Sequence, residues 1–299
     1  MTRLPAALTF VLLCGVSLIL DWRALATTFS LALGREEYTQ ILLVFPVVAA
    51  LIFLDRNLFN VVPKPGLGWG SAVLVVSVGI ASLAKWGPGL QPDTRLALDM
   101  LALVAWWVGA FVLCFGERVA RTFLFPLGFL LWLVPIPAFM LAHVIFFLQR
   151  WSAFSAQVLF SAAGVPVSQD GFFLTIPGVT IEVAKECSSI RSSLLLLLTT
   201  MVLAQLQLRS FWRKALLVAI AVPLSVAKNG FRIFTIAMLG IKVDPGYLSG
   251  RLHHHGGVLF LLMALLVIFL MLWILRKGER RSAAAPGLAP FAPLSSARH

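Results

Sequence analysis

The chain alternates long apolar blocks with short polar or charged breaks, the blocks falling near 5–20, 40–54, 67–84, 97–115, 122–137, 192–208, 215–240 and 256–275. Apolar blocks of about 17 to 25 residues are long enough to cross ~30 Å of hydrocarbon as helices. The pattern predicts an all-α polytopic membrane protein with about eight transmembrane helices. The first block, from Leu4 to Leu20, follows a thin positive start and is followed by "DWRALA", which has no small-residue cleavage pattern. It is expected to stay as a helix rather than to be removed as a signal peptide.

Two stretches depart from the pattern. Residues 138–164, "AFMLAHVIFFLQRWSAFSAQVLFSAAG", are long enough to cross, yet Gln149 and Arg150 stand at their centre. A helix lying in the outer interface, or a re-entrant pair, is expected there. In residues 164–187, Gly171 follows Asp170, an apolar run covers 172–176, Pro177-Gly178 makes a turn, and Val179, Ile181 and Val183 alternate. That is the pattern of a small β-hairpin, which ends four residues before Cys187 and would hold it in place.

Composition supports the membrane reading, since 60% of the 299 residues are apolar and only 12% are charged, which excludes an ordinary soluble domain. The net charge of +12 would suggest nucleic acid in a soluble chain. Here the bases sit mostly at helix ends, so they read as topology signals and contacts to anionic membrane lipids, and no nucleic-acid partner is expected. "RKGERR" at 276–281 and "LRSFWRK" at 208–214 place the C-terminus and one hairpin in the cytoplasm. Counting back, the start of the 192–208 block and Cys187 lie at the extracytoplasmic face.

No repeat, zinc-type Cys/His spacing or phosphate loop is present, and "VVPKPGLGWG" at 61–70 reads as a turn. The Ala/Pro/Ser-rich end is expected to be disordered. The organisation is therefore N-terminal membrane helices over 1–120, a core over 121–275 and a cytoplasmic tail, expected to be disordered, over 276–299.

Chemistry concentrates in three places. In "VAKECSSIRSS", 183–193, Cys187 and Arg191 are four apart, which on a helix gives one face. The helix N-terminus and the guanidinium both favour the thiolate, the attacking form of a cysteine nucleophile. The plainer alternative is a capped helix start with Arg191 reaching to head groups. Cys14 and Cys114, inside apolar blocks, read as small buried hydrophobes.

In "SVAKNGFRIF", 225–234, Ser225, Asn229 and Arg232 recur at spacings of four and three. An arginine on that face of a membrane helix requires a partner, and Lys228 beside it adds to the cost. Pro223 is expected to kink the helix and open room beside it. In "RLHHHGG", 251–257, histidines suited to proton exchange precede the last block. Consecutive helical residues fan out by about 100°, so His253, His254 and His255 cannot all face one metal ion, and neither metal nor cofactor is expected. His143, alone on an apolar face, reads as structural.

The order of "P-x-P" at 135–137, "GVPV" at 164–167, "IEVAKECSSIRS" at 181–192, "KNGFRI" at 228–233 and "HHHGG" followed by Phe260 resembles the exosortase family of bacteria, relatives of the archaeosortases. The resemblance covers roughly residues 120–275. It implies a multi-pass cysteine peptidase or transpeptidase of the bacterial inner membrane, with its active site facing outward. The implied substrates are proteins ending in a C-terminal sorting signal of the PEP-CTERM type, a short Pro-Glu-Pro-like motif followed by a membrane helix and a basic end. Carried over, Cys187 matches the nucleophile, Arg232 the essential arginine and a residue in 253–255 the histidine. The resemblance favours His253, since family members tend to place the histidine four residues before a glycine, here Gly257, with His254 next; Arg191 and Asn229 are supporting residues. Ser189 departs from the glycine many relatives have after "CS", and the additional soluble C-terminal domain of some relatives is not expected here. The acceptor that resolves an acyl-thioester would be an amine, a glycan or lipid acceptor, or water. The rival class is a permease, or an accessory subunit of envelope polysaccharide export, in which the same cations line a path.

Overall fold

A computed structural model describes residues 3–54, 65–177, 179–183, 190–244, 246 and 257–284. In chain order the elements are α1 (Arg3–Leu20), α2 (Trp22–Gly34), a 3-10 turn (Glu36–Tyr38), α3 (Ile41–Leu54), α4 (Leu67–Trp86), α5 (Pro92–Phe115), α6 (Glu117–Thr122), α7 (Leu124–Phe129), a second 3-10 turn (Leu130–Leu133) and α8 (Ala138–Ala162). Strands β1 (Ser168–Asp170), β2 (Phe173–Ile176) and β3 (Val179–Glu182) follow, then α9 (Ile190–Gln207), α10 (Phe211–Lys242) and α11 (Gly257–Ala284). The fold is an all-α polytopic membrane protein with one small sheet. Among the described residues six helices are long and apolar enough to cross a membrane, and two bent pairs bring the number to as many as eight.

The bent pairs are where the hydropathy blocks mislead. The block over 122–137 is not a straight span, because α7 and the 3-10 turn after it end at Leu133, and α8 leaves at 98°. Pro135 and Pro137 lack the amide hydrogen that would continue a helix and push the residues before them out of helical geometry; Val134 is accordingly extended. Over 138–164, α8 is one uninterrupted helix rather than a pair. At the other end of the chain, α2 turns 74° from α1 at Asp21. Its Ala- and Thr-rich sequence escapes a search for long apolar blocks.

Polar contacts sort the helix ends between the two membrane faces. The Glu279 carboxylate of α11 accepts the amides of Arg209 and Ser210 at 2.8–3.2 Å and pairs with Arg213 at 3.7 Å. This brings together the end of α9, the start of α10 and the end of α11. On the opposite face the Asp93 carboxylate accepts the Ala138 amide at 2.6 Å, the Tyr38 hydroxyl donates to the Ile136 carbonyl at 2.8 Å, and Arg191 pairs with Glu36 at 3.9 Å.

The three strands form an antiparallel sheet in the order β1-β2-β3, with Gln169 opposite Leu174 and Phe173 opposite Glu182. Gly171, at φ 58°, supplies the left-handed residue the first turn requires. Leu174 and Ile176 face inward while Phe173 and Thr175 face out, the period-two pattern of a half-buried strand. The inward pair packs with Phe160 of α8 and Ile233 and Ala237 of α10, so the sheet rides on these two helices.

α8 and α10 meet closely at Gly230, where an added Cβ would come within 3 Å of Ser155 and of the Ala156 amide nitrogen. Gly230→Ala is expected to destabilise the protein by about 1–3 kcal/mol through overpacking, outweighing the roughly 1 kcal/mol that alanine gains in helix propensity. A lowered thermal midpoint in detergent would register this, whereas an unchanged or raised midpoint would mean the helices can separate without cost.

Candidate functional site

α10 is 32 residues long, about 48 Å, against about 30 Å of hydrocarbon. With Phe211 and Trp212 exposed at its start, the opposite boundary falls near Phe231, and the last turns extend beyond it. α9, with 18 residues, is about 27 Å long and makes one crossing. Its first turn is level with Lys228, because Lys228 Nζ donates to Ser192 Oγ. The polar residues of α10 thus lie at a membrane boundary rather than at the bilayer centre.

That level is a buried polar layer shared by three helices. Ser225 donates to Ser193 of α9 at 2.5 Å, and Asn229 donates through Nδ2 to Ser152 of α8 at 2.9 Å. Ser225, Lys228, Asn229 and Arg232 are all buried. Their spacing of three, one and three residues puts them on one helical face, and α10 turns it toward α8 and α9. Burying two cations a turn apart is costly, and only a site that uses their charge or fully satisfies them retains such a pair.

The chain on either side of residues 184–189 is anchored to the same layer. Gln149 of α8, buried, donates to the Val183 carbonyl at 2.8 Å, and the Val183 amide donates to Phe172 at 2.9 Å. On the far side, Ile190 is buried at the start of α9, packed in the large apolar cluster. Arg191 is half-exposed and pairs with Glu36, itself largely exposed. At 3.9 Å in solvent such a pair adds little to stability; it marks which face of the membrane the start of α9 occupies. Phe260 of α11 packs edge-on to Phe231, with centroids 6.0 Å apart, which sets the first turn of α11 beside the Arg232 level of α10.

Of the residues singled out from the sequence, Arg232 and Asn229 share this buried face and Arg191 lies at the adjoining helix start. Cys187, His253, His254 and His255 lie outside the described residues, as does Ser189. Cys114 is buried inside α5 and Cys14 half-buried inside α1, both free thiols. His143 bonds through Nδ1 to the Phe139 carbonyl of its own helix at 2.7 Å, a local contact.

The sequence reading passed over Ser152, Ser192 and Ser193, which hold the layer together, and took Gln149 only as an interruption of an apolar stretch. A signal for Gln149 and Ser152 exists: polar residues three apart share one face of a helix, and a polar face is better turned to protein than to lipid.

Residues 32–270, most of the chain, match the sequence profile of the family described as transmembrane exosortase. No curated protein and no solved structure matches the chain.

Proposed function

The chain belongs to the transmembrane exosortase family, and on that premise we propose that it is a membrane-embedded cysteine peptidase or transpeptidase that cleaves proteins bearing a C-terminal PEP-CTERM-like signal. Membership of the family supports the coarse role. The observation that carries the assignment to residues is the buried arginine of α10 at the level where α9 begins, next to a chain segment anchored at Val183 and Ile190. Covalent geometry alone keeps Cys187 within about 11 Å of Ile190, and His253 within about 14 Å of Gly257.

The reaction then runs in two halves. The Cys187 thiolate attacks the scissile carbonyl carbon, and the Arg232 guanidinium donates to the oxyanion that develops. His253 delivers a proton to the departing amine, the C–N bond breaks, and an acyl-thioester remains on the sulfur. An amine, a glycan or lipid hydroxyl, or water then attacks the thioester. His253 takes the acceptor's proton, the C–S bond breaks and the thiolate returns. Asn229, held by Ser152, keeps α10 in register against α8. Arg191 contributes positive charge near the sulfur.

The polar layer is assigned to the extracytoplasmic face of the bacterial inner membrane. Arg118, Arg121, Arg209, Arg213, Lys214, Arg276, Lys277 and Arg280 gather at the opposite side, and an excess of bases favours the cytoplasm. The C-terminus is cytoplasmic in this reading.

Co-expression with a reporter that ends in a Pro-Glu-Pro motif, one apolar helix and a basic end tests the reading. The expected result is a shortened reporter, with a hydroxylamine-labile reporter fragment on the Cys187 peptide in mass spectra. An intact reporter and an unmodified Cys187 under conditions of confirmed insertion would overturn it.

A further inference from the structure

At the face of the membrane opposite the polar layer, a groove of about 830 Å³ runs between α7, α9 and α10. Its basic residues, Arg121, Arg209 and Lys214, line it together with apolar side chains of which Leu124, Met201, Val218 and Val222 are representative. We propose that this groove binds one anionic phospholipid of the adjoining leaflet, its phosphate among Arg121, Arg209 and Lys214 and its acyl chains along α10 as far as Val222.

Charge and depth select this occupant. Arg209 and Lys214 lie at the junction of α9 and α10, and Arg121 at the end of α6, so the cations stand at the membrane surface and the floor inward of them is apolar. Lys214 donates to Gln205 at 2.8 Å, and Arg121 pairs with Glu117 at 2.5 Å, leaving the rim with more bases than acids. Among the described residues Arg209 makes no side-chain ion pair. Arg213, Arg276 and Arg280 surround the neighbouring hollow, where Glu279 is the acid. From Phe211 to Val222 α10 rises about 17 Å, close to half of the roughly 30 Å hydrocarbon core. That is the depth of one leaflet. A membrane-spanning helix would need the full thickness. Beyond Val222 the surface continues as a smaller hollow of about 520 Å³ between α8 and α10, with no charged residue in its lining.

The groove also contains a bare position. Gly128 is exposed, lines the groove, and has no atom within 4 Å of where a Cβ would stand. A leucine there meets no neighbour at its Cβ, and within a helix it is favoured over glycine.

The purified full chain is incubated in detergent with phosphatidylglycerol or phosphatidylcholine of identical acyl chains, and retained lipid is read by native mass spectrometry. Wild type is expected to keep one phosphatidylglycerol with a preference of roughly tenfold or more, as two or three bases near an anionic headgroup produce. Arg209→Gln with Lys214→Gln should bring the two lipids level, and Gly128→Leu should reduce retention of both. Equal retention of the two lipids by wild type overturns the proposal. So does full phosphatidylglycerol binding by Gly128→Leu, or a lipid-free dimer showing that a second copy fills the groove. Thermal midpoints of the variants exclude misfolding as the cause of lost lipid. None of this depends on Cys187 or on the processing reaction.

Discussion

Replacing Cys187 with alanine is expected to abolish reporter processing, by on the order of 10⁴-fold or more, while the protein remains inserted and abundant. The size follows from the role: without the sulfur no acyl-enzyme forms, and the arginine and histidine have nothing to assist. Insertion should be unaffected, because it is driven by the long apolar spans, and exchanging one small side chain for another changes their transfer energy little. Cys187→Ser sharpens the test. A permease, or an accessory subunit of polysaccharide export, would work nearly normally with serine there. A thiolate enzyme would not, since a serine hydroxyl does not ionise near neutral pH and lacks the nucleophilicity of sulfur. Pulse-labelled reporter followed by immunoblot measures the rate, and processing by the alanine variant at even a tenth of the wild-type rate would remove cysteine from the mechanism.

The second large effect is expected at Arg232. Substitution by alanine should slow processing by about 10² to 10³-fold, the loss typical of removing one donor to a developing oxyanion. Alanine also leaves a hole in a buried layer where Arg232 is only 9% exposed, so a folding defect has to be separated from a chemical one. Arg232→Lys does this. Lysine keeps the charge and the aliphatic stem but loses the planar fork, so the thermal midpoint should stay near the wild-type value while processing still falls at least tenfold. Wild-type processing by the lysine variant would show that charge alone suffices and that Arg232 does not make the directed hydrogen bond assigned to it.

The two predictions draw on different kinds of information. The cost of placing Arg232 is legible in the chain, because a guanidinium inside an apolar block is expensive wherever the block folds. That it shares a face with Ser225 and Asn229 follows from helical spacing. The sheet was similarly legible: Asp170-Gly171 and Pro177-Gly178 flank alternating residues, and β2 and β3 occupy those positions, although β1 adds a strand that the pattern over 168–170 is too short to announce.

Local sequence by itself determined that the chain is a series of apolar membrane helices and which positions of α10 are costly, since these depend on transfer energies and on backbone geometry within a few residues. Only the tertiary structure decided that α8 turns 98° from the segment before it. It alone showed that Ser152, Ser192 and Ser193 are the partners of the α10 polar residues, and that Gln149 ties the end of the sheet to α8. Hydropathy measures the cost of placing a side chain in lipid but carries no direction. Which neighbour a buried hydroxyl or amide meets is fixed by how helices distant in sequence pack, and that pairing is written in no single stretch of the chain.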